Sequence, residues 1–430
     1  MLDLINSIEP LTLLTAVLTS ATCALAGSLL VVRRMSLLGD AISHAILPGL
    51  AMGFILSGSR APLYMLIGAA VTGLLTAFLS QALTNFSKLP ADTIMGVVFT
   101  SFFAVGVILI TWVARDIDLD PGCVLYGLIE FVPFDTVHIF GVELPKALAW
   151  NFAIFPLTLC LIGVFYKEIK IVAFDSTLAA ALGFSVPLIH YGLMTLIAVI
   201  AVSSFESVGS ILVVGMLTAP GATAYLLTDK LHVMIILSAL IGATAAVIGY
   251  LLAVMVNTSI AGMIAGAGLL IFLVVLFIAP KHGILAKEFK RFLLALRIAE
   301  EDILGALYRA QEKSEHVVSK RLLTTKLSPI TSSAPLIRKI ALRKLAFNQE
   351  VAVAGTGVVT LSPRAFERAQ AVIRRHRLWE SFLSKELQLP EDHLHSPSER
   401  VEHFITEKLQ AELQQELGGQ NKDPHGTNIP

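Results

Sequence analysis

Three stretches of this chain set carboxylates and imidazoles at helical spacing. In MSLLGDAISHAILPGLAMG (35–53), Asp40 and His44 are four residues apart, which puts both on one helix face. In RRHRLWESFL (374–383), His376 and Glu380 repeat that spacing. In HSPSERVEHF (395–404), Glu399, Glu402 and His403 fall at i, i+3 and i+4, with His395 just ahead. A carboxylate and an imidazole on one face make half of a transition-metal site. The two C-terminal stretches together offer five or six N/O donors and no soft thiolate, a set suited to Mn²⁺ or Fe²⁺. Plainer readings stand beside these. Asp40 could cap a helix at the membrane interface, and His44 could bond a neighbouring backbone. A helix face bearing three charges is usually a solvated face.

The elements that must position these residues lie in two different solvents. Of the 430 residues, 55% are apolar, and the mean hydropathy of +0.76 is too high for a soluble protein. The net charge of zero hides a split: 9 Lys+Arg against 14 Asp+Glu over 1–280, then 23 against 18 over 281–430. A membrane domain followed by a charged soluble tail is expected. Cys23, Cys123 and Cys160 are scattered without a CxxC, so neither a thiolate metal site nor a disulfide framework is suggested. Asp3 and Glu9, with no Lys or Arg in the first ten residues, speak against a cleavable signal peptide.

Apolar runs near 11–32, 40–57, 62–84, 92–113, 147–166, 188–206, 209–228, 232–256 and 260–279 are long enough to span, which takes about 20 residues. The second is marginal and 188–228 could be one broken unit, so eight or nine spans are expected. With nine spans and an external N-terminus, the inside connections carry Arg33, Arg34, Lys88, Lys167, Lys170 and Lys230. The outside ones carry Arg60, Arg115 and Lys146. The positive-inside rule then makes the tail cytoplasmic. The outer loop 114–146 is acidic (Asp116, Asp118, Asp120, Glu130, Asp135, Glu143) and could attract cations or simply be solvated. Glu206, between two spans, could lie on a permeation path or at the interface. Gly49 with Gly53, and Gly262 with Gly266, form GxxxG pairs that favour close helix packing. The inside loop KEIKIVAFDSTLAAALGFSVP (167–187) is amphipathic: Phe174, Leu178, Ala181 and Leu182 share helical spacing, and Gly183 can end the helix. Such a helix could receive a peripheral partner or touch only lipid. There is no GxxxxGK[ST], so any ATP site belongs to another chain.

MSLLGDAISHAILPG, DTIMGVVFTSFFAVGV, YKEIKIVAFDSTLAAALG and VGSILVVGMLTAPGATAYLLT occur here in the order found in the ABC-3 permeases of bacterial manganese, zinc and iron importers. Residues 10–280 resemble that family over nearly their whole length. The resemblance implies a homo- or heterodimer with a second permease subunit in the bacterial cytoplasmic (inner) membrane. It also implies a cytoplasmic ATP-binding subunit and an extracytoplasmic metal-binding protein. By the same likeness 174–183 (Phe174, Asp175, Leu178, Ala181, Gly183) is the helix that couples to the ATPase. Asp40 and His44 are the matched positions for handling transported Mn²⁺, Fe²⁺ or Zn²⁺.

In the tail, Phe289, Phe292, Leu293, Leu296, Ile303, Leu304 and Leu307 predict one or two amphipathic helices. The polar, Ser/Thr-rich 313–332 reads as a turn and short helix. APLIRKIALRKLAF (334–347) repeats Leu336, Ile337, Ile340 and Leu345 at helical spacing and leaves Arg338, Lys339, Arg343 and Lys344 outward. NQEVAVAGTGVVTLSP (348–363) alternates around Gly355 and Gly357 as a hairpin would. Helices followed by a wing predict a winged helix-turn-helix. Residues 286–377 hold 18 Lys+Arg against 8 Asp+Glu, and 378–430 hold 4 against 10. The basic half suits DNA phosphates, or anionic lipid beside a membrane.

LSPRAFERAQAVIRRHRLWESFL, HSPSERVEHF and the closing DPHGTNIP resemble metal-dependent repressors of the diphtheria-toxin-repressor family, over about 299–430. That likeness implies metal ligands at His376, Glu380, His395, Glu399, Glu402 and His403, and at Asp302 in EEDILGALY. Glu399 stands where iron-sensing members carry Cys, as in manganese-sensing ones, which tilts the sensed metal toward Mn²⁺. Gly305 stands where manganese sensors carry a second N-terminal carboxylate, which tells against a full two-metal site. Longer members add a small barrel domain after this point.

The fold expected is an all-α polytopic membrane domain of 8–9 transmembrane helices, then a soluble winged helix-turn-helix with a helical dimerisation and metal-binding domain. The boundaries are 1–285, 286–360 and 361–430. The function expected is a divalent-metal permease subunit fused to a metal-responsive repressor that binds a DNA operator. The tethered repressor would act at the membrane or be freed by cleavage within 281–298. The competing reading keeps the permease and has tail-bound metal inhibit transport directly, without DNA. A third, a purely structural tail, predicts no metal binding.

Overall fold

A computed structural model describes residues 9–58, 62–87, 89–113, 127, 129–139, 141–312, 335–353, 359–390 and 393–430. It divides into two compact units, Met1–Ala286 and Lys287–Pro430.

The first unit is helical: α1 (Pro10–Val32), α2 (Leu38–Ala45), α3 (Leu47–Ser57), α4 (Pro62–Phe86), α5 (Ala91–Val113), α6 (Lys146–Val164), α7 (Tyr166–Phe174), α8 (Ser176–Ala181), α9 (Val186–Val208), α10 (Ser210–Leu227), α11 (Leu231–Val256) and α12 (Ile260–Ile278). Among the described residues nine segments are long and apolar enough to cross a membrane. The marginal second run is α2 and α3 set end to end at Ile46, with Pro48 in the first turn of α3, where its missing N–H leaves no bond unmade. The 188–228 region is two helices. Gly209, at φ +78°, ends α9 and opens α10 in a backbone region that favours glycine.

α1 is the hub, packed chiefly on α10 and α11 and buried along most of its length. Its hydroxyls explain how a Thr/Ser-rich helix survives there. No water reaches a bilayer core, so polar groups must bond within the protein. Thr15 and Thr19 donate to carbonyls one turn back, at 2.7 and 2.8 Å. Ser20 donates to the Gly242 carbonyl at 2.8 Å, Ser238 to that of Ala24 at 2.8 Å, and Asn151 to the Thr19 hydroxyl at 2.9 Å. Gly27 lets α1 and α10 touch backbone to backbone: a Cβ there would stand 1.8 Å from the Leu217 carbonyl oxygen. Gly27→Leu is therefore expected to cost roughly 3 kcal/mol or more. Size-exclusion profiles of the detergent-purified protein should lose the monodisperse peak, and an unchanged profile would refute this packing.

The acidic loop 114–146 is only partly described; Asp116, Asp118 and Asp120 lie outside the described residues. The remainder is structured, with the Asp135 and Glu143 carboxylates exposed to solvent. A 3₁₀ turn (Ile129–Phe134) leads to an antiparallel pair, β1 (Thr136–Ile139) and β2 (Val142–Pro145). Glu130 accepts the Ile260 N–H at 3.0 Å and so caps α12.

The second unit holds α13 (Ile284–Glu312) from Lys287 onward, α14 (Pro335–Phe347), the hairpin β3 (Val351–Val353) with β4 (Val359–Leu361), α15 (Pro363–Leu387), α16 (His395–Val401), a 3₁₀ turn (Glu402–Phe404) and α17 (Glu407–Glu416). The first stretch is one helix rather than two. Leu296, Ile303, Leu304 and Leu307 enter a core with Ala341, Leu345, Val351, Ala365 and Ala369, whereas Phe289, Phe292 and Leu293 are exposed. The hairpin pairs Val351 with Leu361, as a wing does. The 313–332 stretch and the Gly355–Gly357 tip lie outside the described residues. Ser362 caps α15 by accepting the Ala365 N–H, and Pro363 follows it in the first turn.

Candidate metal centres

Asp40 sits in the first turn of α2 and His44 in the last. Their side chains are 3.5 Å apart, Nε2 to Oδ1, and each is partly exposed. No side chain caps α2, so Asp40 is not a cap. The His44 ring stacks on Phe99 (5.7 Å) and meets Phe103 edge-on (5.8 Å), both on α5. Two donors bound to one ion at about 2.1 Å and a tetrahedral angle lie about 3.4 Å apart. The 3.5 Å separation of the pair is close to that value.

In the tail, α15 stacks His376 and Glu380 one turn apart, while α16 and its 3₁₀ extension supply His395, Glu399, Glu402 and His403. α13 brings Glu301 and Asp302 across a sequence gap of about a hundred residues. Two triads result, His376–Glu380–His395 and Asp302–Glu402–His403, and within each the donor atoms lie within 4.8 Å of one another. In the first, Glu380 Oε1 is 3.0 Å from both His376 Nε2 and His395 Nδ1. His395 Nε2 faces Glu399 at 3.1 Å. In the second, His403 Nε2 is 3.1 Å from Asp302 and 3.7 Å from Glu402. Glu402 joins the two, its other oxygen lying 2.5 Å from His376 Nδ1. His376, Glu380, Glu402 and His403 are buried. Buried charges of this density need partners or an ion.

The protonation state follows from these contacts. Hydrogen bonds to Glu380 and Glu399 push His395 up to about 9. Burial opposes the charge on His403, but bonds to Asp302 and Glu301 outweigh it and carry it to about 9. His376 is raised in the same way by Glu380 and Glu402 against its burial. Burial would raise Glu380, yet its two histidines hold it well below the usual carboxylate range. Burial raises Asp302. Without metal, protons on the histidines balance the carboxylates; a divalent ion would displace them. All-N/O donor sets of this kind fit Mn²⁺ or Fe²⁺ better than a thiolate-preferring ion.

Three residues escaped the sequence reading. Glu301 accepts from His403 Nδ1 at 2.8 Å and so fixes which imidazole nitrogen faces Asp302. Arg309 approaches Glu399 at 3.9 Å. Glu300, buried, holds Lys344 at 2.6 Å and lies 3.9 Å from Arg368. The signal for the two glutamates is the acid run Glu300–Glu301–Asp302 beside the buried Leu296, Ala299, Ile303 and Leu307. Gly305 lies on that helix too, and a Cβ there would meet only Ile373, at 3.5 Å. Arg338, Lys339 and Arg343 lie with Lys344 on α14; Lys339 and Arg343 are exposed.

The 167–187 segment is two helices rather than one. Asp175 is extended, breaks the run between α7 and α8, and caps α8 by accepting the Leu178 N–H at 2.9 Å. Phe174, Leu178 and Leu182 are left exposed together, with Ala181 beside them. Gly183 follows at φ +86°. Glu206 falls in the last turn of α9, and its side chain is outside the described residues.

Residues 10–279 match the ABC 3 transport family. Residues 362–430 match the iron dependent repressor, metal binding and dimerisation domain. The manganese transport system membrane protein MntD of Bacillus subtilis (strain 168) is 45% identical over 285 residues, 66% of this chain and 96% of that protein. The zinc transport system membrane protein TroD of Treponema pallidum (strain Nichols) is 38% identical over 275 residues, 64% of this chain and 75% of that one. The solved structure of PsaBC from Streptococcus pneumoniae in complex with Fab aligns with a TM-score of 0.55 and 35% identity, over 65% of this chain and 96% of that one.

Proposed function

This chain belongs to the ABC 3 transport family, and from that membership we propose that it is the permease subunit of an ATP-driven importer of a divalent transition metal, fused to its own metal-responsive regulator. It is a multi-pass membrane protein with a repressor-type metal-binding domain at its C-terminal end. Manganese is the first choice of cargo, ahead of iron and zinc. An extracytoplasmic metal-binding protein delivers the ion, and Asp40 and His44 bind it on its path and replace part of its hydration shell. A second permease subunit completes the path. A cytoplasmic ATP-binding subunit docks on 174–183 and supplies hydrolysis. The C-terminal unit faces the cytoplasm. Its residues 286–360 form the DNA-binding part, through Arg338, Lys339, Arg343 and Lys344. Residues 361–430, with Asp302, hold Mn²⁺ or Fe²⁺ through His376, Glu380, His395, Glu399, Glu402 and His403.

One observation carries the proposal: in a permease chain, donors from α13, α15 and α16 converge into two thiolate-free triads. Glu300 supports a link from metal to DNA, because it holds Lys344 of α14 while its neighbours Glu301 and Asp302 flank His403. The same ion pair favours a second reading. A Lys344 already engaged is a weaker phosphate ligand, which suits a tail that inhibits transport directly.

The test uses the full chain in nanodiscs, titrated with Mn²⁺, Fe²⁺ and Zn²⁺ and then with DNA from its own promoter at two salt concentrations. Metal-dependent, salt-sensitive and sequence-selective binding is expected. Metal binding without DNA binding would favour direct inhibition, and neither would sink the regulator. For the docking segment, Phe174→Ala with Leu178→Ala should lower the affinity for the ATPase subunit by roughly tenfold or more, as loss of central apolar contacts does. Co-purification at graded ATPase concentrations measures it, and unchanged retention would refute the role of 174–183.

A further inference from the structure

A pocket of about 530 Å³ opens where α1, α7, α10 and α11 end or begin. Four separate connections of the membrane unit converge on it: Arg33–Arg34 after α1, Ala173–Phe174 at the end of α7, Thr228–Lys230 between α10 and α11, and His282 after α12. It therefore lies at the depth where spans leave the bilayer.

Its charges are unbalanced. Asp229 is engaged by Lys281 at 2.7 Å and by His282 at 2.8 Å. Arg33, Arg34 and Lys230 also line the pocket, and among the described residues no carboxylate pairs with any of them. Arg33 is half-buried, and burial presses its guanidinium below its usual pKa. Arg34 is held at φ +57°, a left-handed backbone that non-glycine residues adopt uncommonly. It closes α1: the N–H of Met35 bonds the Leu30 carbonyl at 2.9 Å, and that of Arg34 bonds Val31 at 3.1 Å.

The rest of the wall is apolar, with Val32, Phe174, Tyr225, Leu231 and Met234. Of these, Phe174 and Tyr225 are exposed. Free phosphate would use only the cationic half. A phosphate with acyl chains uses both.

We propose that this pocket binds the phosphate headgroup of an anionic phospholipid, with Arg33, Arg34 and Lys230 as its cationic partners and the apolar wall of Val32, Phe174, Tyr225, Leu231 and Met234 receiving the start of an acyl chain. Basic pockets between spans are suited to such headgroups, and arginine's planar fork favours phosphate. Under the orientation proposed above, the lipid comes from the cytoplasmic leaflet. Binding itself does not depend on the transport reading, because a nanodisc offers both leaflets.

The test is native mass spectrometry of the full chain released from nanodiscs of equimolar phosphatidylglycerol and phosphatidylcholine. The wild type should retain phosphatidylglycerol with a preference of about tenfold, the size expected from one or two cations near a headgroup. Arg33→Gln with Arg34→Gln should abolish the preference. Asp229→Asn should raise it, since that variant removes the one carboxylate of the pocket; an effect of opposite sign separates headgroup binding from damage to the fold. Equal retention of both lipids by the wild type would overturn the proposal. So would inorganic phosphate displacing phosphatidylglycerol at millimolar concentration, which would assign the site to a free anion. Weaker association with the ATPase subunit in the arginine variants, without any lipid preference in the wild type, would assign the pocket to a protein partner and equally overturn it.

Discussion

Asp40→Asn and His44→Ala are each expected to cut metal uptake by on the order of 100-fold or more, with membrane insertion unchanged. The reasoning is local. Both side chains project from a two-turn helix, 3.5 Å apart and partly exposed, so replacing Asp40 leaves the packing of α2 largely intact. What disappears is one donor to an ion that must shed water to cross. Asn keeps the shape of Asp but brings no charge, so the Asn variant isolates the electrostatic part. His44 has a second role that sets a control. Its ring packs between Phe99 and Phe103, so His44→Phe should preserve packing and still abolish uptake. Proteoliposomes holding the assembled transporter, loaded with a metal-sensitive dye, read this directly. Near-normal uptake in both Asp40→Asn and His44→Phe would remove the pair from the path, whatever its spacing. The ATPase activity of the same assemblies separates a blocked ion from a failed assembly, because a pure ligand loss leaves nucleotide hydrolysis in place.

What the sequence made legible follows from range. Spans are written in consecutive residues, so hydropathy located them. Asp40 with His44, and His376 with Glu380, are i, i+4 pairs whose contact needs only one helix. The misses are contacts that no local pattern encodes. Glu301 meets His403 only because α13 packs against the turn after α16. Glu130 caps α12 across 130 residues, which no motif announces. The hub position of α1 was equally hidden, for its Thr and Ser residues look polar until their hydroxyls are seen bonded to carbonyls of α1 itself and of α11. The break at Asp175 was legible in principle. An Asp three residues before a free N–H is a cap, but the apolar periodicity on either side masked it. In both units the chemistry-bearing pairs were local and their partners were not.

Metal binding by the tail should tighten steeply as pH rises, while the metal-free tail grows less stable over the same range. In the metal-free chain the neighbouring carboxylates push His395 and His403 up to about 9, above the ordinary 6.5. At neutral pH both are protonated, and each must surrender its proton before its nitrogen can bind an ion. Affinity should therefore climb by up to about tenfold per pH unit for each histidine, until the pH passes about 9. Stability runs the other way. A folded-state pKa raised above the unfolded value stabilises fully below 6.5 and loses that contribution as pH rises through about 9. Loaded and metal-free protein should thus diverge with pH. The measurement is a Mn²⁺ titration of the full chain carrying Asp40→Asn, so that the membrane pair contributes little, at several pH values between 6.5 and about 9. Glu402→Ala should weaken binding more than Glu380→Ala or Asp302→Ala, because Glu402, a member of one triad, also bonds His376 of the other. His376→Ala combined with Glu402→Ala should cost less than the two effects summed, since the pair shares a contact. A flat pH dependence would mean that these histidines are neutral when metal arrives and that the carboxylates find other counter-charges. Additive losses at His376 and Glu402 would mean that the two triads act as separate sites rather than as one coupled centre.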